Sequence, residues 1–143
     1  MANYCCAIRT NYFHVKDADE FRKNMSRVYG CEDTVDLWED KDADGNLVFG
    51  FGCYNGISGL RNTDADDDDD DSYDAFIDML QKSVADDDAV IIFESGHENL
   101  RYIVGSAEII TSKDFKRICI DDEATQMAAK MIQNPGWRTV CSY

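Results

Sequence analysis

The chain has 143 residues, 29 acidic against 14 basic side chains, a net charge of −15, and 44% apolar and 11% aromatic content. That length fits one domain able to bury a core without crosslinks, and the aromatic content excludes a wholly disordered acidic chain. The charge excludes direct binding to nucleic acid and to anionic membrane surfaces.

YCCAIRTNYFHV (4–15) is rich in β-formers and predicts a first strand. In KDADEFRKNMSRVY, Asp17 with Glu20 three residues on makes a capping-box-like start. Phe21, Met25 and Val28 recur at helical spacing, so this is helix one. TVDLWE and LVFGFGCY read as strands joined by DKDADGN, with Asp44-Gly45 as the hairpin signal. ISGLRN then opens a loop. Helix two is expected from about Ser72, carrying Tyr73, Phe76, Ile77, Leu80 and Val84, with Asp74 where the helix dipole favours an acid. AVIIFES is a nearly continuous apolar run, which predicts a central strand covered on both faces. GHEN should turn the chain into LRYIVGSAEIITS, followed by FKRICID, two further strands. DEATQMAAKMIQ is expected as helix three, with Ala124, Met127, Ala128 and Met131 on one packed face, ended by NPG. WRTVCSY should be a last strand. The order is β-α-β-β-α-β-β-β-α-β. Short links between neighbouring strands imply a mostly antiparallel sheet with about three packed helices, an α+β class. It forms one domain over residues 1–143, with a flexible acidic insert at about 62–72.

That insert lies in TDADDDDDDSYDAF (63–76), where eight aspartates occupy eleven positions. Without them the balance is 21 acids against 14 bases, a net −7, so about half the imbalance is local. Three readings fit. The run is a solvated loop that aids solubility, a cation-binding tract, or a mimic of a nucleic-acid backbone, since duplex DNA presents one negative charge per roughly 1.7 Å of axis. On the mimic reading the partner-binding residues are Asp64, Asp66, Asp67, Asp68, Asp69, Asp70, Asp71 and Asp74, with Asp36 and Glu39 of the hairpin and Asp86, Asp87 and Asp88. DDE at 121–123 adds a further cluster. The partner is then a basic nucleic-acid-binding protein, such as a host nuclease.

DKDADGN also resembles the opening of an EF-hand loop. Asp40, Asp42 and Asp44 alternate, Gly45 follows, and Asn46 offers a backbone carbonyl. The twelfth position, however, is Phe51 instead of a bidentate acid, and the flanks read as strands. The segment is either a polar hairpin turn or a weak calcium site. No other cofactor is expected.

Catalytic signals are thin. His97 and Glu98 form a turn pair with Arg101 nearby, and Cys6 with His14 is the other conceivable couple. No nucleophile motif accompanies them, and the glycines of GFGCYNGISG lack phosphate-loop order. The expectation is a protein that is not an enzyme. Cys5, Cys6, Cys31, Cys53, Cys119 and Cys141 show no CxxC spacing and read as reduced, buried thiols. The start MANYCCAIRTNYF lacks the basic and apolar regions of a signal peptide. No apolar run approaches the roughly 20 residues of a membrane span. A cytoplasmic location follows, with no membrane partner.

NYCCAIRTNYFHVKD, ESGHENLRYIVGSAEIITSKD and the closing NPGWRTVCSY give the chain, over most of its length, a resemblance to a group of small acidic proteins. These are carried on conjugative elements and phages of Gram-positive gut bacteria. The resemblance implies no role for a named residue. It implies a genetic context in which inhibitors of host defence are common, several antirestriction and anti-CRISPR proteins among them being acidic DNA mimics. The expected function is therefore a non-enzymatic acidic binding protein that inhibits a nucleic-acid-binding host defence enzyme as a DNA mimic. The alternative is a structural or regulatory interaction module whose acidity only solubilises and whose contacts are apolar or run through a sheet edge.

Overall fold

The computed structural model describes residues 4–61 and 72–140. Asp64 and Asp66 to Asp71, the expected acidic insert, and Cys141 lie outside the described residues. The fold is α+β with a mostly antiparallel sheet and three helices, as expected.

The strands of the main sheet stand in the order β3 (Asp36–Lys41), β4 (Leu47–Tyr54), β1 (Cys5–Thr10), β6 (Val90–Glu98), β7 (Tyr102–Ile110) and β8 (Phe115–Cys119), each antiparallel to its neighbour. Two short strands, β2 (Val28–Gly30) and β5 (Ile57–Leu60), form a separate pair. β5 lies where a loop was expected. Asn55 and Gly56 both take positive φ, 63° and 91°, and reverse the chain so tightly that Ile57 is already paired.

Alternation along β4 decides where the core lies. Phe49 and Phe51 point to one face and are fully buried; Gly50 and Gly52 point to the other. The helices α1 (Ala18–Met25) and α2 (Ser72–Ser83) bring Phe21, Met25, Phe76, Met79 and Leu80 onto the phenylalanine face. α1 begins as the sequence predicts, with the Asp17 carboxylate accepting from the amide of Glu20 at 3.1 Å. Strand one is shorter than expected. The Thr10 hydroxyl accepts the amide of Phe51 at 3.0 Å and interrupts the β1–β4 ladder. Phe13 then rejoins β4 through paired backbone bonds to Phe49.

Several expectations are corrected. β6 runs through GHE to Glu98, and the turn falls at Asn99, whose φ is 47°. β6 is central but not covered on both faces. Val90 and Ile92 are buried, while Phe93 is 48% exposed, because α1 and α2 share one side. α3 (Ile120–Met131) covers the other side mainly over β7 and β8. Its expected packing face is outward: Met127 is 63% and Met131 83% exposed, and the buried residue is Ala129, on the opposite side. Trp137–Val140 carry no strand pairing; the Trp137 amide instead donates to the carbonyl of Asn134. Of the described cysteines only Cys53 is buried; Cys5 and Cys31 are exposed on strand and turn surfaces.

The packing predicts a steep contrast between two faces. Phe51→Ala should lower unfolding free energy by about 3–5 kcal/mol through lost burial and a cavity. Met131→Ala should change it by less than about 0.5 kcal/mol. Urea denaturation of the two variants measures both.

Candidate functional site

The segment after β1 is pinned on both sides. Phe13 pairs with Phe49, the Ala85 amide donates to the His14 carbonyl at 3.0 Å, and the Lys16 amide donates to Ser83 at 2.9 Å. His14 is thereby held between the β3–β4 hairpin and the turn after α2. Its Nε2 lies 2.6 Å from Oδ2 of Asp42, and its Nδ1 lies 2.7 Å from Oδ2 of Asp88. The backbone amide of His14 also donates to Oδ2 of Asp88 at 2.8 Å. With a carboxylate at each ring nitrogen, the imidazolium is the favoured form.

The titration behaviour follows from that geometry. The hydrogen bond to Asp42, then that to Asp88, raises the His14 pKa above its ordinary value. Asp42 is held below the usual carboxylate range by His14 and then by the amide of Asn46. Partial burial pushes Asp88 up, but the amides of His14 and Ala89 and the imidazole outweigh it, and the net direction is down. Asp42 also closes the hairpin: its Oδ1 accepts from the amides of Asp44 and Asn46, each at 2.9 Å. Within the EF-hand-like segment, then, Asp42 serves as a hairpin cap joined to His14, and Phe51 faces the core.

His14 therefore gathers two of the predicted acidic clusters at one end of the molecule. Some of their charge is matched there. Lys16 Nζ lies 3.2 Å from Asp86, and Arg22 Nε donates to Glu39 at 2.6 Å while also pairing with Asp19. Asp40, Asp44 and Asp87 are exposed and have no cation at ion-pair distance among the described residues. The other predicted residues are elsewhere. Asp74 is exposed on the first turn of α2, Asp36 opens the edge strand β3, and Asp121, Asp122 and Glu123 sit at the start of α3. Cys119, Asp121 and Asp122 bring ligand-type atoms within 4.8 Å of one another there.

The conceivable catalytic couples are separated. Both ring nitrogens of His14 are engaged, while Cys6 pairs with Gly96 on β6. His97 and Glu98 are adjacent on a strand and so point to opposite faces; His97 is exposed and Glu98 is buried.

A second surface was not anticipated. On the face away from α1 and α2, register aligns Asp36, Gly52, Arg9, Phe93, Ala107 and Ile118 in one row across six strands. Tyr54, Ala7, Ser95 and Gly105 form the next row. Trp38 lies over Gly52, and the Arg9 guanidinium sits 5.1 Å from the Trp38 ring centre. These rows floor a groove of about 730 Å³ that ends at Ile120 and Glu123 of α3. The alternation Phe-Gly-Phe-Gly in β4 was the available signal, because it puts bulk on one face and none on the other.

Comparison with protein-family models, curated proteins and solved structures finds no match. Among the described residues no helix is long and apolar enough to cross a membrane.

The histidine tie predicts a pH dependence of stability. A raised folded pKa means that the His14 contribution is fully present below the unfolded value of about 6.5 and is lost as pH rises through the folded value. The lowered Asp42 and Asp88 values act in the opposite sense: their contribution is present above about pH 4 and is lost as pH falls through the folded values. Melting temperature should therefore be highest between about pH 4 and 6.5 and decline on the alkaline side. His14→Gln should remove that alkaline decline. Parallel curves for the two proteins above pH 6 would show that the tie does not stabilise the fold.

Proposed function

We propose that the protein is an acidic binding protein that acts by occupancy and inhibits a basic nucleic-acid-binding partner, such as a host defence nuclease. Carboxylates would stand where that partner receives phosphates, facing its Lys and Arg side chains. One observation carries this reading. His14 fastens the hairpin and the turn after α2 together, so that Asp40, Asp44 and Asp87 share one end with no cation paired to them among the described residues. The turns that carry these residues are held by the bonds of Asp42 and Asp88, which lowers the backbone entropy lost on binding. A net charge of −15 steers a basic partner toward them and speeds encounter. The aspartate run supplies further charge for the same encounter, and the genetic context implied by the sequence resemblance agrees with an anti-defence role.

The experiment is a pull-down from a host-type lysate, treated with nuclease to remove bridging nucleic acid. A nucleic-acid-binding enzyme should be retained at low salt, released at about 0.5 M salt, and displaced by duplex DNA. Asp40→Asn/Asp44→Asn/Asp87→Asn should weaken retention. Asn at positions 66–71 should slow association about tenfold or more. A partner held through high salt and indifferent to duplex DNA would overturn the proposal.

A further inference from the structure

We infer that the cleft between α3 and the open sheet face is a docking site for a basic amphipathic helix of a partner protein. The inference is independent of the acidic end.

The cleft is a wedge. At its closed end Ile120 lies on β7, so near that a Cβ on Gly105 would come within 2.9 Å of Ile120 Cγ2. Ile120, Ala124, Met127 and Met131 recur at i, i+4, i+7 and i+11, which is one stripe of a helix. Two turns beyond Ile120 that stripe is largely uncovered, Met127 at 63% and Met131 at 83% exposure. Ile120 and Glu123 are the α3 residues that line the groove, while Met127 and Met131 stand outside it. The apolar sheet floor beyond Ile120 is uncovered among the described residues.

The space has the width of a helix. Strands are about 4.8 Å apart, so six span about 24 Å, and a packed helix takes about 10 Å of that. α3 packs mainly on β7 and β8. The remaining lane runs over β4, β1 and β6, and its floor is small: Gly52, Ala7 and Ala107 let a backbone approach, while Trp38 and Phe93 offer large rings.

Charge selects the occupant. Asp36 stands at the β3 wall and Glu123 at the α3 wall. Among the residues lining the groove the base is Arg9, already placed over Trp38. A helix with an apolar stripe flanked by Lys or Arg meets both needs. A second copy would bring another −15 charge against the same carboxylates and is disfavoured.

The test uses two labelled helical peptides of about 18 residues, long enough to cross the sheet. They share a leucine stripe; one has lysine and the other glutamate on its polar face. Fluorescence anisotropy is read for the wild type, for Ile120→Glu and for Phe93→Ser, with circular dichroism confirming each fold. The Leu/Lys peptide should bind the wild type, and both variants should weaken it at least tenfold. The Ile120→Glu variant is the decisive arm, since an added carboxylate strengthens mere electrostatic attraction of a lysine peptide. Unchanged or tighter binding there overturns the inference. So does loss on α3 without loss in Phe93→Ser, or equal binding of the Leu/Glu peptide. Self-association of the wild type that Ile120→Glu abolishes would assign the cleft to a second copy and overturn it as well.

Discussion

In β4, Phe49 and Phe51 alternate with Gly50 and Gly52, and that alternation divides the sheet into a thick face and a thin one. On the thick face Phe13 meets Phe21 and Phe51 edge-on, at 5.6 and 6.2 Å between ring centres, and Phe76 of α2 meets Phe51 at 5.8 Å. Such pairs add about 0.5–1.5 kcal/mol each beyond burial, so both helices are drawn to the same side. On the thin face the glycines leave room for rings to lie flat. A Cβ on Gly52 would fall 2.8 Å from Trp38 Cη2, and one on Gly50 would crowd Tyr12. The core and the open groove are thus two consequences of one four-residue pattern.

Charge is handled by giving structural carboxylates a base and leaving Asp40, Asp44 and Asp87 without one among the described residues. Arg22 joins α1 to β3 through Glu39, Lys16 meets Asp86, and His14 joins two turns through Asp42 and Asp88. Exposed pairs of the first two kinds contribute little, about 0–1 kcal/mol. The His14 tie differs because it links three chain segments whose backbone is already hydrogen-bonded around it. Deprotonating that one ring would leave Asp42 and Asp88 facing each other without a cation between them. The acidic end is therefore held together by the least permanent charge available to it.

Local signals in the sequence were read well, and long-range ones were not. The Asp17 cap with Phe21 and Met25, the Asp-Gly hairpin, and the Phe76–Leu80 spacing each depend on residues within a few positions, and each element formed, but Val28 opens β2 instead of continuing α1 and Val84 lies just past the end of α2. Asn55-Gly56 carried the same kind of turn signal for β5, but the partner strand β2 is a three-residue stretch with no pattern to announce it. The apolar run at Val90–Phe93 cannot say how many of its faces are covered, since that depends on where three helices land. For α3 the Met stripe was legible and its destination was not: helical periodicity identifies an apolar face without naming what meets it. Of the candidate site, the acidic residues were visible in sequence, whereas their meeting at His14 required the bridges of Phe13 and Val15 to distant strands and helices.

The two surfaces are not remote from each other. Along β3, Asp36, Trp38 and Asp40 alternate onto the thin face, and at about 3.3 Å per residue they span some 13 Å. The strand then enters the hairpin that carries Asp42 and Asp44. One edge strand therefore leads from the carboxylate at the groove wall, past the ring that floors it, to the unpaired acids at the end of the molecule. A partner using both would divide the work by physical kind. Long-range attraction to the acids sets how fast it arrives and weakens with salt. Desolvation of an apolar stripe against Trp38, Phe93 and Ile120 sets how long it stays, and salt leaves that part nearly untouched. An intermediate salt dependence, with a strong effect on arrival and a weak one on departure, is the signature of such continuity, and neither surface alone produces it.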